Sequence, residues 1–203
     1  MKVYDSDIRE LLKYKFITLK KYTSDPTTKV VEEMDVCMGT SRIDMAVLNG
    51  KLHGYEIKSE QDTLERLPDQ IESYNKIFDT MTIVTGEKHV SKVMKIVPDW
   101  WGVYYVSLNK KKPVLKRKRQ VKKNKEIDIF YLSQLLWKNE LCELLIDNGI
   151  KKGIKSKTRY ELGILVSKVV NNHDTKEYVR EKLKSRKDWK AVELKQLYDD
   201  LQQ

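Results

Sequence analysis

The sequence predicts a mixed β-sheet flanked by helices, an α/β (α+β) arrangement, followed by an all-helical C-terminal subdomain. Three observations carry this expectation. Period-two strands concentrate between residues 30 and 58, with Asn49-Gly50 between two of them as a strong hairpin signal. Strand and helix patterns then alternate as far as residue 108, as in a sheet covered by helices. Beyond residue 126 the periodicity is helical throughout.

A first helix starts near Asp5, Ser6 or Asp7, competing caps for the apolar positions Ile8, Leu11, Leu12 and Phe16. After a polar stretch with Pro26, residues 30–37, 41–48 and 51–58 read as strands. The hairpin register follows from its two faces. A two-residue loop mixes apolar and acidic residues on both. A three-residue loop (Asn49, Gly50, Lys51) pairs Leu48 with Leu52 and sorts them. Ile43, Met45 and Val47 then face Ile57, Tyr55 and His53, while Asp44 lies opposite Glu56 and Arg42 opposite Lys58, since a one-residue slip flips every side chain.

Next comes a helix with Leu64, Leu67, Ile71, Tyr74 and Phe78 on its apolar face, kinked or restarted at Pro68. Residues 81–84 are a short strand, 88–96 a helix and 102–108 another strand. Lys110 to Lys125 is rich in lysine and arginine and contains no acid, so it reads as a basic connector. Capping boxes are expected at Thr158 to Glu161 and at Asp174 to Glu177. Residues 159–185 form a helix pair, for which a DNA-reading helix-turn-helix is a minor alternative to plain packing. The expected divisions are a core over 1–108, a connector over 109–126 and helices over 127–203.

A chain of 203 residues, 40% hydrophobic, can bury a real core, and its net charge of +10 favours a polyanionic partner. Cys37 and Cys142 match no metal-ligand spacing, and no apolar run approaches ~20 residues, so a soluble cytoplasmic protein is expected.

The chemistry-bearing feature is Glu56-Ile57-Lys58 with Asp44 across the hairpin. Two carboxylates at one level of a sheet, with the Ile57 carbonyl as a further oxygen, suit Mg²⁺ or Mn²⁺, and an ammonium two residues on shares their face. Glu33, on the preceding strand, is the candidate third acid. Similar tripeptides at Asp174, Asp188 and Glu193 fall in helical stretches, where positions i and i+2 diverge.

Asp44, Glu56-Ile57-Lys58 and the following helix resemble the PD-(D/E)XK phosphodiesterase superfamily, with its restriction-endonuclease-like fold. Gln70 and Tyr74 match the QxxxY element of its exonuclease-type branches. The strings Ser41 to Asp44, Gly54 to Ser59 and Asp62 to Gln70, with Pro98 to Gly102, are similar to an uncharacterised bacterial and phage-associated family within it. The resemblance implies metal-dependent nucleic-acid cleavage with Asp44, Glu56, Lys58 and Glu33 in the catalytic positions, supported by Gln70 and Tyr74. Glu32 and Glu10 remain alternatives to Glu33, and Ile43 replaces the proline of the literal motif.

Arg42, Arg66, Lys116, Arg117, Lys118, Arg119, Lys122 and Lys123 are the expected nucleic-acid contacts, giving salt-sensitive affinity with little sequence specificity. The histidines His53, His89 and His173 read as structural or surface residues, and Trp100 and Trp101 as packing against the sheet. The expected function is a divalent-metal-dependent nuclease, DNA favoured over RNA. The alternatives are a non-catalytic nucleic-acid binder on the same fold and a phage or host-defence protein-interaction factor.

Overall fold

A computed structural model describes residues 3–110, 112–187 and 189–202. Helix α1 (Asp5–Thr18) buries Ile8, Leu12 and Phe16, and a single turn, α2 (Lys20–Thr23), buries Tyr22. The cap of α1 is Tyr4, whose N–H donates to Asp7 Oδ2 at 2.8 Å. Asp7 therefore serves the helix start from its first turn, and neither Asp5 nor Ser6 is the cap.

Strands β1 (Lys29–Val36), β2 (Ser41–Leu48) and β3 (Leu52–Lys58) form an antiparallel meander. A 3-10 turn, Cys37–Gly39, joins the first two. Leu48 pairs with Leu52, so the hairpin loop has the three residues that face-sorting requires. From β3 the chain crosses through α3 (Leu67–Asn75) to β4 (Thr80–Gly86), parallel to β3. It crosses again through a turn at Glu87–His89 and α4 (Val90–Ile96) to β5 (Gly102–Asn109), parallel to β4. Pro68 sits in the first turn of α3, where its missing N–H costs nothing, so it starts this helix.

The expected connector is a strand. Residues 112–119 form β6 (Lys112–Arg119), antiparallel to β5 at the sheet edge. An edge strand tolerates a lysine on almost every exposed position because one side faces water, and such charge deters edge-to-edge pairing. After α5 (Ile129–Ser133), α6 (Lys138–Asp147), α7 (Arg159–Val169) and α8 (Asn172–Ser185), the chain returns to the sheet. There β7 (Ala191–Glu193) pairs with β1, and α9 (Leu194–Asp200) follows it. The C-terminal region is thus not wholly helical. The order is β6-β5-β4-β3-β2-β1-β7.

Two cores cover the two faces. One joins α1, α9 and the residues Met45, Val47, Tyr55 and Ile57. The other joins Ala46, Leu48, Leu52 and α3 to Leu132, Leu141, Leu162 and Leu183 of α5–α8. These helices share the sheet's core and form no separate one. Thr158 caps α7 through Glu161 as its sequence indicates, whereas α8 is capped by Asn171, with Asp174 inside the first turn.

One departure shapes the site. Val31 and Met34 of β1 join the same core, as do Ala46 and Ile43 of β2, although each pair differs in parity. Alternation breaks between them, at Glu33 and Asp44, and Glu33 takes a φ of 54°. Ile43 therefore leaves the face of Met45, contrary to strict alternation.

Candidate functional site

The β2–β3 ladder runs from Leu48–Leu52 to Met45–Tyr55 and ends there. Asp44 and Glu56, expected as the next pair, lie where the strands part. In place of a ladder bond, the Ile57 N–H donates to Asp44 Oδ2 at 2.6 Å. Ile57 thus enters the site through its N–H, with its side chain in the core. Arg42 is not opposite Lys58: it pairs across the other side of β2 with Asp35, Nε to Oδ1 at 2.7 Å.

Glu56 is 1% exposed and three side chains hold it. Lys58 Nζ and Gln70 Nε2, the latter at 2.7 Å, donate to its Oε1. The Tyr74 hydroxyl lies 2.9 Å from Oε2 and 2.7 Å from the Arg42 carbonyl oxygen, with one proton to give. Gln70 and Tyr74, four apart on α3, reach Glu56 together. Tyr74 also packs on Phe78 and stacks on Trp101, whose Nε1 donates to Asn75 Oδ1 at 2.9 Å, so its packing and polar roles coincide.

These groups open onto a cleft of about 520 Å³. Asp5, Glu33, Asp35, Asp44, Glu56, Asp62 and Asp69 line it against only Arg42, Lys58 and Arg66. Burial, and then repulsion from Glu56, push the Asp44 carboxyl up to about 7, against the Ile57 N–H and Lys58, which pull it down. Burial also raises Glu56, opposed first by Lys58 and then by Tyr74 and Gln70. Gln70 Oε1 is buried beside them with no hydrogen-bond partner among the described residues.

The residue that sequence reasoning missed is Arg9. From α1 its Nη2 reaches Glu33 Oε1 at 2.5 Å and Asp44 Oδ1 at 3.3 Å. Its Nε holds Asp5 at 2.6 Å, and its Nη1 lies 3.2 Å from Glu32. One guanidinium thus gathers four acids at the mouth of the split. Glu33 lines the cleft, whereas Glu32 turns to Arg9 and Lys13, and Glu10 is exposed on α1 outside it. Among the described residues no group of three or more His, Cys, Asp and Glu side chains is placed to hold a metal ion.

The basic residues divide. Arg66 lines the cleft and makes no ion pair among the described residues. Lys116, Arg117, Lys118, Lys122 and Lys123 are exposed. Lys58, Thr85, Tyr105 and Lys116 pair in succession from β3 to β6, so Lys116 shares the level and face of Lys58, roughly 14 Å away across three strand spacings. Arg119 does not belong with them: its guanidinium is bound to the carbonyls of Pro98 and Trp101, at 2.7 and 2.8 Å.

His53 is buried between Thr80 Oγ1 and Asn49 Oδ1, at 2.6 and 3.0 Å, and burial holds it neutral with a pKa near 3, as a structural histidine. Of the other acid-x-Lys tripeptides, Asp174 to Lys176 is helical, and Glu193 ends β7 before Leu194 and Lys195 open α9. Asp188 lies outside the described residues. No helix among the described residues is long and apolar enough to cross a membrane.

The chain belongs to the family described as Bacteriophage P4 protein cII, whose model matches residues 9–200. Protein cII of Enterobacteria phage P4 is 34% identical over 131 residues, which cover 64% of this chain and 49% of that protein. The chain thus spans about half the length of this curated relative. A solved protein of unknown function from Silicibacter pomeroyi matches 58% of this chain and 73% of its own at 17% identity, with a TM-score of 0.40, too low to assign a fold.

Proposed function

We propose that this member of the phage P4 cII family is a divalent-metal-dependent nuclease acting on phosphodiester bonds, with DNA favoured and Mg²⁺ or Mn²⁺ as the ion. The observation that supports it best is the parting of β2 from β3, where Asp44, Glu56 and Lys58 meet at one acidic cleft with Gln70 and Tyr74 fixing Glu56.

Asp44 and Glu56 are hard oxygen donors, and Mg²⁺ is commonly held by one or two carboxylates while keeping several waters. Gln70 Oε1, without a hydrogen-bond partner among the described residues, is an acceptor suited to one of those waters. When bound, the ion supplies charge compensation for the scissile phosphate and lowers the pKa of water. The protein's own part is positioning. Gln70 and Tyr74 keep Glu56 from rotating away, and the Ile57 N–H holds Asp44 by its Oδ2, leaving Oδ1 to Arg9. Lys58, once released from Glu56, presents an ammonium to the attacking water or to charge on the phosphate.

Cleavage of single- and double-stranded DNA and RNA, with Mg²⁺, Mn²⁺ or chelator, tests this reading. Activity should need the ion and vanish in Asp44→Ala and Lys58→Ala. Activity that survives both substitutions overturns the site.

A second reading is favoured by Arg9. Its guanidinium already neutralises Glu33 and Asp44 without a metal, an arrangement that suits a nucleic-acid binder that keeps the fold without catalysis. Salt-dependent binding with no cleavage on any substrate would select it.

A further inference from the structure

We propose that a pocket behind the Cys37–Gly39 turn is a binding site for an unpaired nucleobase of single-stranded nucleic acid. The inference rests on the nucleic-acid half of the proposed function and is independent of catalysis. The pocket, of about 170 Å³, shares Asp35 and Gly39 with the acidic cleft, so the turn is a wall common to both. On its far side stand Met38, Gln134, Trp137, Arg159, Trp189 and Lys190.

Its chemistry differs from that of the cleft. Trp137 is 47% exposed and Met38 43% exposed, two large apolar side chains kept in water at the pocket mouth. The Arg186 guanidinium lies 4.3 Å from the centre of the Trp137 ring and 5.3 Å from that of Trp189, and is fixed by Glu140 Oε1 and Oε2 at 3.0 and 2.5 Å. A buried ion pair thus fixes a guanidinium over the Trp137 ring, and Trp137 still keeps 47% of its surface in water. A half-exposed aromatic ring held in place beside a guanidinium suits base stacking, with the cation adding to it. Arg159 adds a cation for an adjoining phosphate, while Lys190 Nζ is held by the Glu33 carbonyl and Gln134 Nε2 by the Arg159 carbonyl at 3.3 Å, so these two line the pocket as fixed walls.

The wall itself is strained. Cys37 and Met38 take φ values of 49° and 59°, left-handed backbone that is costly for non-glycine residues, and the following Gly39 continues it at 88°. This conformation puts Met38 at the pocket rim while Gly39 keeps the cleft side open. A strand entering the cleft would then have its backbone at Asp44 and Glu56 and a neighbouring base turned over the wall. A duplex, whose bases are stacked and paired, cannot offer that base without melting.

Anisotropy titrations in chelator, where no cleavage intervenes, test the site with labelled oligothymidylate and a blunt duplex. Trp137→Leu and Trp137→Phe trim a half-exposed side chain and keep the Trp137 N–H on Glu140, so thermal melting should show both folded, but only phenylalanine can stack. Trp137→Leu should weaken single-strand binding about fivefold or more, with Trp137→Phe restoring most of it and duplex affinity unchanged in both. Equal loss on both probes, no loss on the single strand, or no binding of either probe by the parent protein overturns the pocket. Loss of metal-dependent cleavage with this pattern intact would overturn the nuclease reading alone.

Discussion

The acidic cleft and the basic edge strand carry charge in opposite ways. In the cleft, Glu56 and Lys58 are buried, 1% and 6% exposed, and hold one another. On β6, Lys116, Arg117 and Lys118 stand in water. A buried charge needs its partner to avoid a large desolvation penalty, whereas a solvated one does not. Substitutions in the cleft should therefore disturb the fold as well as the proposed chemistry, and those at Lys116, Arg117 and Lys118 the proposed nucleic-acid affinity without the fold.

The largest effects should appear where that contrast is sharpest. Lys58→Ala leaves Glu56 buried without its cation, so we expect a loss of about 3–5 kcal/mol in urea unfolding along with loss of cleavage. A variant as stable as the parent would show that Glu56 is not sealed in as described. Asp44→Asn should act through pH. Because the folded-state pKa of Asp44 is raised from 3.8 to about 7, the folded protein binds the extra proton between these values. Stability from this group should fall as pH rises from about 4 to 7 and then level off, and Asp44→Asn should flatten that slope. Unchanged pH profiles would place Asp44 in a wetter setting.

Ion binding to the cleft should raise Tm in Mg²⁺ or Mn²⁺, by the equivalent of about 2.7 kcal/mol at a hundredfold excess over Kd. Asp44→Ala should abolish the shift. Arg9→Gln should enlarge it, because Glu33 and Asp44 lose their resident cation. A shift that shrinks in Arg9→Gln would mean that Arg9 organises the acids more than it competes with the ion. The smallest effect belongs to β6. Replacing Lys116, Arg117 and Lys118 with glutamine should leave stability within about 0.5 kcal/mol. The same change should flatten the salt dependence of DNA binding by about 3 in the log–log slope if all three contact phosphate.

The sequence reveals the hairpin well, because only one register separates Met45, Val47 and Tyr55 from the charged residues, and that register is observed. Gln70 and Tyr74 are legible for the same kind of reason, a spacing that one helical face enforces. The break at Glu33 is not, since nothing in a glutamate foretells a positive φ, and with it goes the face taken by Ile43. Arg9 is hidden because a surface arginine on an amphipathic helix has no distinguishing spacing, and its partners lie as far as 35 residues away. Strand β6 is disguised by its own lysines, and β7, three residues long, is too short to show a period.

The pairing of β7 with β1 sets an order of events during synthesis. Residues 191–193 cover the outer edge of β1 at Lys29, Val30 and Val31, and β1 emerges from the ribosome some 160 residues earlier. At translation rates of about 5–20 residues per second, that edge stays open for many seconds. During that interval β1 is an uncapped template for another chain's strand. A polypeptide ending before Ala191 would keep that part of the edge open indefinitely, so the short last strand ends the exposure only once it has paired.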